Sequence, residues 1–199
     1  HDFANSALGE GGEGGSGWRM RNARLPARVK AEHSETAYTT GLAMQFMQEQ
    51  GNRPWCLHLS YIKPHWPYIA PSPYHAMYGE ADMLPAIRAE AEREHPHPVH
   101  GAFMRHLECM AFSREEVRRA VVPTYMGLVR QIDDELGRLF GFMRERGLLQ
   151  NTLIIFTSDH GDYLGDHWLG EKELFHEQSV RVPLIVASPG EGAPRGVVS

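Results

Sequence analysis

The stretch of sequence that decides the fold is Leu153-Ile154-Ile155-Phe156-Thr157-Ser158-Asp159-His160-Gly161-Asp162, where four large apolar residues lead into a polar segment. A short apolar run of this kind predicts a strand that is buried on both faces, as in a parallel sheet. Ligands of open α/β sheets bind beyond the carboxyl ends of the strands. Asp159 and His160 therefore stand where an active site is expected, and Gly161 permits a sharp turn or a close approach to a ligand.

A carboxylate beside an imidazole is a pair of metal ligands, so Asp159 and His160 are candidates for holding a divalent cation. The same polar residues are also typical of a strand end that is followed by a helix cap. The residues by themselves leave both interpretations open.

Two further apolar segments, Trp55–Tyr61 and Leu184–Ala187, predict strands of the same mixed or parallel sheet. Residues 34–50 and about 124–146 carry apolar side chains at helical spacing, and these helices are expected to cover the faces of the sheet. The strand, helix and strand lengths favour a right-handed βαβ crossover. The chain is therefore predicted to be α/β.

The composition is that of an ordinary globular chain, one domain or part of one, with 199 residues of which 42% are hydrophobic and 23% charged. A net charge of −5 gives no basic footprint for nucleic acid. No apolar run approaches the length of a membrane span. Two cysteines make no disulfide framework and favour a reducing, cytoplasmic compartment, although no amino-terminal address is visible at His1 and the chain is expected to start within a longer protein.

Residues 1–33 are predicted to be a flexible amino-terminal segment, because Gly9–Gly17 contains six glycines and lacks the Lys-Ser/Thr ending of a phosphate-binding loop. Residues 34–199 form the predicted α/β domain. Within it, residues 79–123 are poorly patterned. The histidines and prolines of His95–His100 fit no closed zinc motif, and they predict an extended loop.

His65 follows the predicted strand Trp55–Tyr61, and Pro64 and Pro67 restrict the backbone around it. A fixed imidazole at this point suits hydrogen bonding to a substrate or a leaving group. A loop histidine packed between Pro64 and Trp66 would explain the same pattern.

The order of several motifs resembles the sulfatase family of the alkaline phosphatase superfamily, in particular its phosphonate monoester hydrolase and choline-sulfatase-like branch. The motifs that carry the resemblance are Asn151-Thr152-Leu153 through Asp162, Gly165-Asp166-His167, Lys172 and Arg181-Val182-Pro183-Leu184-Ile185. The resemblance implies an alkaline-phosphatase-like three-layer α/β/α sandwich with a mostly parallel central sheet, of which this chain holds a part. It also implies that residues 79–123 are a variable insertion that shapes substrate choice or an oligomer contact, so a homo-oligomer stays open.

The resemblance assigns catalytic roles to His65, through a Pro-His-x-Pro segment, and to Lys172. The lysine would neutralise the non-bridging oxygens of a small anionic ester such as a sulfate, phosphate or phosphonate. Without the resemblance, Lys172 would be expected to form a surface salt bridge with Glu171 or Glu173.

Asp159 and His160 become metal ligands under the same resemblance. They depart from the Asp-Asn pair of many calcium arylsulfatases, which leaves the metal open between calcium and manganese, the two that are expected, and zinc as a third option. Lys63 is a weaker candidate for substrate binding. His167 and His176 flank the site in sequence. They are candidates for hydrogen bonding to the metal ligands, and a purely structural role is favoured for both.

The family's nucleophile is a formylglycine made from Cys or Ser in a Cys/Ser-x-Pro-x-Arg segment, and neither Cys56 nor Cys109 fits it. The formylglycine is therefore expected outside this chain, which would supply half of the metal and substrate site of a metal-dependent hydrolase of sulfate, phosphonate or phosphate esters. The isolated chain is expected to be inactive. Two alternatives are a two-zinc phosphatase or phosphodiesterase of the same superfamily and a non-catalytic fragment.

Overall fold

The computed structural model describes residues 20, 22–190 and 196. Among these residues, 3-10 turns connect longer elements in several places, including Tyr74–Ala76 and Asp166–Trp168. The α-helices are α1 (Glu35–Gln50), α2 (Ala91–Glu94), α3 (Pro98–Phe103), α4 (Leu107–Phe112), α5 (Glu115–Glu145) and α6 (Glu177–Val180), and the strands are β1 (Ile154–Thr157) and β2 (Leu184–Ala187).

Helix α1 lies where the sequence predicts it. The Ser34 side chain caps its first turn by accepting a hydrogen bond of 3.2 Å from the amide of Ala37, and Gly51 ends it with a φ of +57°. Ala43 and Met47 of α1 form a core cluster with apolar residues of α5. Leu57 and Leu59, which precede His65, pack against this cluster, and so does Ile154 at the start of β1.

Helix α5 begins at Glu115 rather than near residue 124, and it runs through Pro123 without a break. Proline removes a main-chain donor from a helix interior. Here Val117 and Val121 are buried against Tyr68, which holds the turns before the proline in line with the rest of the helix. Within the described part of the chain, no helix, α5 included, combines the length and the apolar character needed to cross a bilayer.

Strands β1 and β2 form an antiparallel pair, with Ile154 opposite Ala187 and Thr157 opposite Leu184. Both strands lie where the sequence predicts them, but the expectation that the apolar stretch is buried on both faces is wrong for this chain. Ile154 packs on the α1–α5 cluster, whereas Ile155 and the apolar residues of β2 are exposed. Among the described residues, side chains pack against one face of β1 only.

The prediction of a strand at Trp55–Tyr61 is wrong. Leu57 and Leu59 are half-buried against the α1–α5 cluster while Cys56 and His58 point to solvent, so the exposure alternates as in a strand. A strand also needs a hydrogen-bonded neighbour, and among residues 22–190 none pairs with this segment. The predicted βαβ crossover is therefore not formed by the described residues.

Residues 79–123, which are predicted to be an insertion and are called the insertion below, pack over residues 163–171, called the 163–171 loop. The amide of His167 donates to the carbonyl of Ile87 at 2.8 Å, and the indole of Trp168 donates to the carbonyl of Ala89 at 2.8 Å. The guanidinium of Arg88 lies 4.3 Å from the centre of the Trp168 ring. The insertion therefore supports the segment that leads to Lys172.

The predicted extended loop at His95–His100 is wrong in its second half, because Pro98 opens α3 and His97 caps it. Of the predicted flexible segment 1–33, residues 1–19 and 21 lie outside the described residues. Met20 and Ala23 are buried in the core beside Tyr68.

Candidate active site

His65 and Lys172 lie in contact although 107 residues separate them, with the Lys172 ammonium 2.9 Å from Nε2 of His65. Nδ1 of His65 lies 3.0 Å from the carbonyl oxygen of Trp66. A carbonyl can only accept, so Nδ1 carries the proton and Nε2 carries the lone pair. With the proton on Nδ1, the lysine is the donor between the two groups.

Asp159 and His160 follow β1 directly, and the end of the strand brings them to the same site. The rings of His160 and His65 are 6.1 Å apart. Nδ1 of His160 donates to the carbonyl of Gly161 at 2.7 Å, which leaves the lone pair on Nε2. That Nε2 atom lies 3.7 Å from Oδ2 of Asp159. The sequence-predicted residues His65, Asp159, His160 and Lys172 thus meet in one place.

The donor set of Asp159 and His160 fits part of a divalent cation site. Oδ1 of Asp159 accepts from the amide of His160 at 3.1 Å, which leaves Oδ2 for another partner. Desolvation acts to raise the pKa of Asp159, but the hydrogen bonds that it accepts from main-chain groups and from Ser158 act in the opposite direction, and the pKa is lowered overall. An ionised oxygen and an imidazole lone pair are ligands for calcium, manganese or zinc. Within residues 22–190, no group of three or more ligating side chains comes together.

Gly161 makes a close approach, and its partner is protein main chain. Its amide donates to the carbonyl of Ser179 at 2.8 Å. A Cβ at position 161 would collide with the carbonyl oxygen of Gln178. The glycine therefore lets α6 lie directly against the segment that carries His160.

Asp162 was not predicted as a site residue, and it anchors the same segment. Oδ2 accepts from the Tyr68 hydroxyl at 2.8 Å, and Oδ1 accepts from the amide of Leu164 at 3.0 Å. Desolvation by the surrounding protein raises the pKa of Asp162 to about 6, with the negative charge of Glu171 acting in the same direction and these hydrogen bonds opposing it. The only signal in the sequence was its place three residues after Asp159.

Glu171 is the second residue that the sequence interpretation missed as a member of the site. Its Oε2 lies 3.1 Å from the Lys172 ammonium, and its side chain is only 15% exposed. The backbone of the 163–171 loop adopts positive φ at four non-glycine positions, a conformation that the surrounding contacts must hold. These positions are Leu164 (46°), His167 (51°), Trp168 (61°) and Glu171 (64°).

The remaining candidates have partners of their own. The ammonium of Lys63 donates to the carbonyls of His65 and Pro67 and so braces the loop that carries His65. His167 and His176 stack on each other with ring centres 4.3 Å apart. Their hydrogen bonds go to Glu92 and to Tyr163, and not to Asp159 or His160.

Comparison with known proteins identifies relatives across most of the chain. The Sulfatase family model matches residues 10–198. The multifunctional alkaline phosphatase superfamily protein PehA of Trinickia caryophylli is 39% identical over 185 residues, which are 87% of this chain and 36% of that protein. The choline-sulfatase of Rhizobium meliloti is 34% identical over 144 residues, which are 71% of this chain and 28% of that enzyme.

Solved structures agree with these relatives. The phosphonate monoester hydrolase of Silicibacter pomeroyi superposes with a TM-score of 0.78 at 31% identity over 84% of this chain and 35% of its own. The phosphonate monoester hydrolase of Agrobacterium radiobacter gives 0.76 at 30% identity, over 82% of this chain and 34% of its own. The predicted α/β, alkaline-phosphatase-like fold class is thereby confirmed, and this chain spans about a third of the length of these proteins. With a family model that matches nearly all of its residues, the chain belongs to the sulfatase family.

Proposed function

We propose that the whole protein is a metal-dependent hydrolase of sulfate, phosphonate or phosphate esters, and that this chain supplies half of its metal and substrate site. The observation that carries the proposal is the contact between Lys172 and His65 beside Asp159 and His160. A cationic donor next to a pair of metal ligands is the arrangement that an anionic tetrahedral ester requires.

Each residue has a role that follows from its protons and charge. Asp159 Oδ2 and His160 Nε2 would hold a divalent cation, which polarises an ester oxygen or stabilises an anionic nucleophile when it is bound. Lys172 carries the proton of the lysine–histidine contact, so it donates to a non-bridging oxygen of the substrate. His65 orients this ammonium and faces the bridging oxygen.

We propose further that this chain is inactive by itself. Two protein ligands hold a cation more weakly than the three or more of ordinary catalytic sites. No Cys/Ser-x-Pro-x-Arg segment is present in the 199 residues, so the formylglycine nucleophile of the family would have to come from another part of the protein.

The test is turnover of nitrophenyl sulfate, a nitrophenyl phosphonate monoester, a phosphate diester and a phosphate monoester by the whole protein. Calcium, manganese and zinc are added separately after treatment with a chelator. We expect metal-dependent turnover that falls by about 10²-fold or more in Asp159→Ala and in Lys172→Ala. The purified chain of 199 residues should show no turnover under the same conditions.

Matched control variants are available in the same chain. Asp133→Ala removes an exposed carboxylate from α5, and Lys30→Ala removes an ammonium whose side chain is 77% exposed. Both controls should keep full activity. Turnover by the isolated chain that Asp159→Ala abolishes would contradict the assignment of the nucleophile, and full activity of Lys172→Ala in the whole protein would contradict the site.

A further inference from the structure

We propose that Glu171 is a specificity-determining residue, which neutralises Lys172 in the free site and so favours monoanionic over dianionic tetrahedral ligands. The inference rests on the proposed function for its biological meaning. It deepens that proposal by separating sulfate monoesters, phosphonate monoesters and phosphate diesters, which carry one negative charge, from phosphate monoesters, which carry about two at neutral pH.

The contacts of Lys172 are the first step. Its ammonium has three donors, and described residues accept two of them, Oε2 of Glu171 at 3.1 Å and Nε2 of His65 at 2.9 Å. The Lys172 side chain is 28% exposed and that of Glu171 is 15% exposed. Solvent screens a pair in this position less than it screens a pair on the open surface.

The charge of the site is the second step. Lys172 donates to Nε2 of His65 in this arrangement, and its ammonium is a cation that faces an incoming anion. Glu171 cancels that charge before any ligand arrives. Each further negative charge on a ligand is therefore opposed, and the second charge of a dianion gains nothing in return.

The backbone makes this arrangement specific to position 171. Glu171 has a φ of +64°, and its carbonyl accepts from the amide of Tyr163 at 2.9 Å. The loop thereby turns the Glu171 side chain inward beside Lys172. Glu173 is two residues away and exposed, and its carboxylate accepts from the Lys172 amide instead of the ammonium. Glu171 and Glu173 are each one residue away from Lys172 in sequence, and of the two it is Glu171 whose carboxylate contacts the ammonium.

The experiment compares the binding of two tetrahedral anions to the whole protein by calorimetry at neutral pH. Inorganic sulfate is a dianion, and methanesulfonate is a monoanion of similar shape. We expect Glu171→Gln to raise the affinity ratio of sulfate to methanesulfonate by about tenfold, which corresponds to ~1.4 kcal/mol. Glu173→Gln removes the same charge nearby and should change the ratio by less than about twofold.

A second pair of variants guards against misfolding of Glu171→Gln at a position with positive φ. Asp and Asn tolerate this conformation better than most residues, so Glu171→Asp and Glu171→Asn differ only in charge at a compatible backbone. The Asn variant should show the higher ratio of sulfate to methanesulfonate affinity. An equal ratio in the two, an equal effect of Glu173→Gln, or a failure of sulfate to bind any variant overturns the proposal.

Turnover then separates this inference from the proposed function. Glu171→Gln should raise kcat/KM for nitrophenyl phosphate relative to kcat/KM for nitrophenyl sulfate and for the phosphonate monoester. If the unaltered protein turned over none of these substrates, the proposed function would be refuted. The ratio of sulfate to methanesulfonate affinity would still decide the role of Glu171. Normal turnover with unaltered selectivity in Glu171→Gln refutes only the specificity role.

Discussion

The Tyr68 hydroxyl donates a hydrogen bond of 2.8 Å to Oδ2 of Asp162, which joins the chain after His65 to the segment that carries His160. The two residues are 94 positions apart, and Tyr68 is buried in the core beside Phe112. This bond and the contact between Lys172 and His65 both link the two halves of the site.

Tyr68→Phe should lower the free energy of unfolding by about 1–3 kcal/mol, because it leaves a desolvated carboxylate with one donor fewer. Urea unfolding of the whole protein measures the change. Tyr74→Phe is the matched control, since the Tyr74 hydroxyl donates to Asp134 at 2.9 Å on a half-exposed surface. If the two variants lose equal stability, the Tyr68 bond has no special weight.

Gly161→Ala should destabilise the fold by about 1–3 kcal/mol, because the new methyl group meets the main chain of α6 and must push it away. The shift moves His160, so metal-dependent activity of the whole protein should fall further than stability does. Gly137→Ala in α5 provides the contrast, since no atom lies within 4 Å of a Cβ there and alanine favours helix. Wild-type activity in Gly161→Ala would show that the close approach is unnecessary.

Arg118→Met should lower the free energy of unfolding by roughly 3 kcal/mol. The guanidinium is 5% exposed, and it donates to the carbonyls of Leu164 and Leu84 as well as to Glu115. All three acceptors lose a donor at once in the variant. Arg119→Met removes a 56% exposed neighbour with long ion pairs and should cost less than about 0.5 kcal/mol. Thermal unfolding of both variants tests the difference, and similar midpoints would contradict it.

Cys56 and Cys109 should differ sharply in their reaction with iodoacetamide. Burial raises the pKa of the Cys109 thiol to about 11, so little reactive thiolate forms near pH 8. Cys56 is exposed. Mass spectrometry of the folded protein should find the label on Cys56, with Cys109 labelled only after unfolding or as the pH approaches 11. Equal labelling of the two in the folded state would contradict the buried position of Cys109.

Local patterns were sufficient to predict the elements that depend on local chemistry. Ser34 caps α1 through a hydrogen bond from an amide three residues further along the chain. The apolar run before Asp159 forms β1, as its composition predicts. The segment Trp55–Tyr61 has the right alternation for a strand but lacks a described partner, and pairing is not encoded in the segment itself. The continuation of α5 through Pro123 could not be predicted from the sequence either. It depends on the packing of residues before and after the proline against the rest of the core.

The candidate site divides in the same way. Asp159 and His160 could be identified from their place after a strand, and resemblance to the family pointed to His65 and Lys172. Glu171 could not be chosen over Glu173, because the choice depends on the positive φ of Glu171 in the 163–171 loop, where contacts from the insertion reach Trp168 and Gly170. Those contacts join residues far apart in sequence, and no single-sequence pattern reports them.

The contacts between the insertion and the 163–171 loop have a consequence for exchanging parts between related enzymes. The loop donates hydrogen bonds to the carbonyls of Ile87 and Ala89, and Nδ1 of His167 lies 2.7 Å from Oε1 of Glu92, so its unusual backbone is held jointly by two segments. A chimera that receives a foreign insertion without the matching loop would lose those partners and misplace Lys172. We therefore expect the two segments to be exchangeable between related proteins only as one unit.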